Sequence, residues 1–97
     1  MEPALRGVLE KCIDQNLSEA VLKVKVEVYK ISKDIGLIDS LKSAVFGDFI
    51  AQMMSLMSTY YFSQNQIIPK EAALEFKKMI EGRTVQINSR IIEAVNR

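Results

Sequence analysis

Between Lys42 and Lys70 the chain carries one formal charge, Asp48. At about 100° per residue, Phe46, Phe49, Ile50, Met53, Met54, Met57, Tyr60 and Tyr61 fall on one broad arc of a helix running from Ser40 to Gln64. On the opposite side Ala44, Gly47, Ala51, Ser55 and Ser58 follow steps of three and four, and Asp48, Gln52 and Thr59 form a narrow polar strip beside them. Such a segment is too apolar to lie on a surface with one dry face, so it has to be covered from several sides. This predicts an all-α fold of four to five helices around a central helix of about residues 40–64.

A line of small residues lets another backbone approach closely. Three occupants fit the seam of Ala44, Gly47, Ala51, Ser55 and Ser58: a neighbouring helix of the same chain, a second copy, or lipid. Lipid is the poorest fit. An uncharged run of this length is long enough for a bilayer of about 30 Å, but Gln52, Ser55, Ser58 and Thr59 interrupt it and the polar tetrad Ser63-Gln64-Asn65-Gln66 follows. Met53, Met54 and Met57 are read as filler of an irregular core, since an unbranched thioether adapts to gaps.

The flanking segments divide into shorter helices, making 1–97 a single helical domain. Pro3 suits a first helical turn, and Leu5, Val8, Leu9, Cys12 and Ile13 then share a face. Ser18 is a fitting N-cap for a segment that ends at Gly36. There two periods compete over residues 21–31. Val21, Val24, Val28, Ile31 and Ile35 step by three and four, while Leu22, Val24, Val26 and Val28 alternate with charged residues as a strand would. No other run alternates, and a lone strand leaves its backbone unpaired, so the helix is expected. Lys25 would then lay its stem over the core and hold its ammonium in water. Asp39 or Ser40 caps the central helix, Pro69 opens a fourth with Ala72, Ala73, Phe76, Met79 and Ile80 on one face, and Gly82 ends it. In the last helix, capped by Thr84, Ile87, Ile91, Ala94 and Val95 form the apolar face, flanked by Val85 and Ile92. Asn88 lies inside that face and needs a partner, within the core or from an identical neighbour.

Chemistry is constrained mainly by exclusion. Without histidine and with one cysteine, common zinc sites and His-dependent nucleophiles are ruled out. Cys12 reads as a buried structural thiol. The four glycines form no phosphate loop. The paired Glu-x-x-Glu arrangement of all-helical nucleotide pyrophosphohydrolases is absent, because Glu71 and Glu75, like Glu10 and Asp14, are four apart. No cofactor and no metal is expected, and Asp48 is expected to pair with Lys42, Lys25 or an arginine.

Thirteen basic against twelve acidic residues leave a net charge of +1, which gives no general attraction to nucleic acid or membrane. The expected function is therefore a small non-enzymatic protein-interaction or assembly subunit, a homo-oligomer (dimer) joined through apolar helix faces. Its interface candidates are Ala44, Gly47, Ala51, Ser55, Ser58, Asn88, Ile91 and Val95. The alternative is a nucleic-acid-associated regulator using Arg83, Arg90 and Arg97, which recur every seven residues. One cysteine and a start lacking a secretory pattern point to the cytoplasm.

Overall fold

A computed structural model describes all 97 residues as five helices without strands: α1 (Pro3–Asn16), α2 (Glu19–Asp34), α3 (Leu41–Phe62), α4 (Lys70–Gly82) and α5 (Thr84–Val95). Residues 21–31 are helical, as the absence of a partner strand requires. Ser18 Oγ accepts from the Val21 amide at 3.4 Å and Ser40 Oγ from the Ser43 amide at 3.1 Å, so both helices start on hydroxyl caps. Helix α2 stops where Gly36 adopts φ 81°. The Leu37 amide then reaches back to Ser32 and the Gly36 amide to Lys33, which satisfies the last carbonyls. Asn65, at φ 59°, plays the same part after α3. Thr84 does not cap α5. Its hydroxyl donates to the Ile80 carbonyl instead, and Arg83 holds the cap position.

The central helix packs against α1, α2 and α5. Its fully covered line is narrower than the arc read from sequence: Leu41, Val45, Phe49, Met53, Met57 and Tyr61, one residue every four. Phe46, Ile50, Met54 and Tyr60 border it, half-buried. Steps of four drift slowly around a straight helix, so α3 turns its buried line from one neighbour to the next along its length. Leu5, Leu9 and Ile13 of α1, Leu22 and Val26 of α2, Ala72, Phe76 and Met79 of α4, and Ile87, Ile91 and Ala94 of α5 complete one core. Tyr61 donates to Glu2 at 3.3 Å, tying the end of α3 to the start of α1.

The molecule is long and thin, 41 × 25 × 20 Å with a radius of gyration of 14.5 Å, against about 13 Å for a compact domain of this length. A thin bundle has little interior. Only 19 of 97 residues are buried, so large apolar side chains are left at the surface, among them Val8, which shares the apolar face of α1, and Phe62, Ile67, Val85 and Ile92.

Candidate functional site

Helix α2 carries two apolar faces, and only one is covered. Leu22, Lys25 and Val26 are buried and Tyr29 is half-buried. The three-four series expected to face inward points outward: Val21 is 36% exposed, Val24 64%, Val28 55%, Ile31 65% and Ile35 66%. The covered side of α2 meets Asp48. Set in the apolar run of α3, this carboxylate accepts from Tyr29 Oη at 2.6 Å and Gln52 Nε2 at 3.0 Å, and pairs with Lys25 Nζ at 2.9 Å. Lys25 donates also to Asn16 Oδ1 at 3.0 Å, and Asn16 Nδ2 to the Cys12 carbonyl at 2.8 Å. Lys25 and Tyr29 thus stand, with Leu22 and Val26, on the side of α2 turned into the bundle, and the valines stand on the other. Lys25 does not reach for water as its sequence position suggested; its ammonium is turned into the junction of α1, α2 and α3.

Burial of the Asp48 carboxylate pulls its pKa upward, but the hydrogen bonds from Tyr29, Lys25 and Gln52 and the lysine charge outweigh that, and the net displacement is below the ordinary carboxylate value. The Tyr29 phenol is displaced upward, first by its hydrogen bond to Asp48, then by burial and by the carboxylate's charge. The signs give two limits. A carboxylate depressed in the folded state stabilises the fold above its unfolded pKa of about 3.9, and that contribution is lost as pH falls through the folded value. A phenol raised in the folded state stabilises below about pH 10, and that contribution is lost as pH rises through its folded value. Melting temperatures measured from pH 2 to pH 11 should therefore fall at both ends, and Asp48→Asn should flatten part of the acid limb. An unchanged acid limb in Asp48→Asn would show that Asp48 does not contribute to it.

The contact between Lys25 and Asp48 divides the α2–α3 hairpin. On its inner side Leu22 and Val26 share the core with Phe49 and Met53. At 100° per residue, Val21, Val24 and Val28 of α2 lie away from Leu22 and Val26, and Gly47 and Ala51 of α3 lie away from Phe49; all five are exposed. The small-residue seam is open. Gly47, Ala51, Ser55 and Ser58 are exposed and Ala44 half-buried. A Cβ placed on Gly47 would meet nothing within 4 Å, so no helix of this chain lies over it. Further along α3 the seam runs into a groove of about 610 Å³ between α1 and α3, lined by Ala4, Leu5, Val8, Ser55, Leu56 and Tyr60 among others. The valine series and the groove are the features that sequence alone did not single out as surface. The signal for the first was present, since a thin bundle has room to cover only one of two apolar faces on a helix.

The remaining candidates on α5 are distributed differently. Ile91 is fully buried within the chain, while Asn88 and Val95 are half-buried. No buried side-chain nitrogen or oxygen lacks a partner, so burial alone gives Asn88 no need of an identical neighbour. Arg83 pairs with Asp14 on α1 and bonds Gln86 at 3.0 Å. Arg97 pairs with Glu19 on α2 and Glu93, each at 2.8 Å, and these carboxylates account for the upward displacement of its pKa. Of the three arginines, Arg90 alone has no carboxylate partner. Arg6 lies 3.6 Å from Glu75 of α4. No helix is long and apolar enough to cross a membrane, and no three Cys, Asp or Glu side chains converge on a common point. No family model matches this chain, and neither a curated protein nor a solved structure matches it.

Proposed function

We propose that this chain is a non-catalytic assembly subunit that associates with copies of itself through the outer side of the α2–α3 hairpin. The observation that carries this reading is the exposed series Val21, Val24, Val28, Ile31 and Ile35. Five β-branched residues with no charge among them stand on one side of a helix whose other side already serves the core. Scattered surface hydrophobics need no explanation, but a contiguous apolar strip marks a binding surface. The open seam of Gly47, Ala51 and Ser55 on α3 offers no side-chain bulk to hold a partner away.

The nucleic-acid alternative has weaker support. Two of its three arginines are engaged by carboxylates of the same chain, which cancels much of the charge a phosphate would meet.

Association is tested by sedimentation velocity and light scattering over a concentration series. The expected result is a concentration-dependent rise from the 11.0 kDa of one chain towards twice that mass. A strictly monomeric, folded chain up to about 1 mM, where even an interaction of about 4 kcal/mol would show, would sink the proposal.

A further inference from the structure

We infer that the occupant of the valine face is the same face of a second copy, α2 against α2, related by a two-fold axis. This rests on the association reading above and specifies its geometry. The spacing carries it: Val21, Val24, Val28, Ile31 and Ile35 alternate steps of three and four without a break. That is the seam by which two helices interlock side chains, and a seam of this kind is complementary to itself.

Size, shape and charge agree. The series spans 14 helical steps, about 21 Å at 1.5 Å per residue. Its exposed side chains present roughly 500 Å² per chain, so two copies bury at most on the order of 1,000 Å², the lower limit for a specific interface. Five β-branched side chains lose little rotamer freedom when covered. The immediate borders are Ala20 and Ser32, small enough for a second helix to approach. A lipid surface fits the same face less well. Glu27 and Asp34 lie nearer the valines than Lys23, Lys30 and Lys33 do at helical steps, whereas a membrane-surface helix borders its apolar side with cations. No Trp or Phe is in the series.

The geometry is tested with cysteines placed singly at Val24, Val28 and Ile31, and at the exposed control Val85, in a Cys12→Ala chain. All four positions are at the surface, so the variants should keep the parent's helix content and melting temperature. The expected result is rapid disulfide cross-linking at one or more α2 positions and none at Val85. Val28→Asp in the otherwise natural chain should weaken dimerisation at least ~100-fold, because it places an unpaired charge in the covered seam, while Val28→Ile should preserve it. A chain that is dimeric, fails to cross-link at all three α2 positions and ignores Val28→Asp would overturn the α2–α2 contact and leave self-association standing through another face. A chain monomeric at every concentration would overturn both. A chain monomeric in solution that sediments with anionic vesicles, and loses them on Val28→Asp, would assign the face to lipid and overturn it as well.

Discussion

Phe49→Ala should lower the melting temperature by about 15–30 °C and leave the chain close to its unfolding threshold, on the scale of 4–8 °C per kcal/mol for a domain of this size. Phe49 is fully buried and stands mid-way along the covered line of α3. Removing a buried phenyl ring costs about 3–5 kcal/mol, from lost transfer energy and from the cavity left behind. A domain of this length has a total stability of about 5–15 kcal/mol, so the loss is a large fraction of the whole. Its consequences should also be global, because α3 is the helix against which α1, α2 and α5 pack. Ala51→Ser, on the open side of the same helix, should change stability by less than about 0.5 kcal/mol. Urea unfolding followed by helix content compares the two. A difference of less than ~1 kcal/mol between them would contradict the placement of Phe49 at the centre of the core.

The contrast between these neighbouring positions is largely legible in the sequence. The long run with one charge placed α3 at the centre, and the residues chosen for its core arc are all buried or half-buried. Ser18, Ser40 and Gly36 announced element ends because each meets a local backbone need, and local needs are readable from local sequence. The orientation of α2 is not. Both of its faces are apolar, and hydrophobic spacing does not say which of two such faces the core takes. The side turned inward is the one whose Lys25 and Tyr29 meet a carboxylate of α3 about 20 residues away, a contact that local spacing does not reveal. The seam of Ala44, Gly47, Ala51, Ser55 and Ser58 had the same limit: small residues show that close approach is possible, while only the fold shows that no helix of the chain makes it. Val8 shares the apolar face of α1 yet lies at the surface, as do Val85 and Ile92 at the flanks of the α5 face, because five helices in a thin bundle do not have enough neighbours to cover every side that periodicity makes apolar.

The contact between α2 and Asp48 yields the second large effect. Asp48→Ala leaves the Lys25 ammonium, whose side chain is only 10% exposed, without its counter-charge, and stranding a buried charge in this way costs about 3–5 kcal/mol. Lys25→Met should cost less, about 1–2 kcal/mol, since Asp48 is 22% exposed and keeps Tyr29 and Gln52 as donors. The pair Lys25→Met with Asp48→Leu removes both desolvation costs, and should be closer to the natural chain than Asp48→Ala alone. A thermodynamic cycle in urea at neutral pH, built from Lys25→Met, Asp48→Leu and the two combined, measures the coupling. Additivity within about 0.5 kcal/mol would mean that the two residues are energetically independent, contrary to their 2.9 Å contact. The greater consequence concerns which side of α2 faces out. Without the lysine and the carboxylate, the valine series can compete with Leu22 and Val26 for the core, since both faces are apolar and a roll of the helix exchanges them. The apolar double variant should therefore dimerise more weakly than the natural chain although its helix content is unchanged. An equally tight dimer from that variant would show that hydrophobic packing alone sets the orientation of α2, and that the ion pair is not what turns the valines outward.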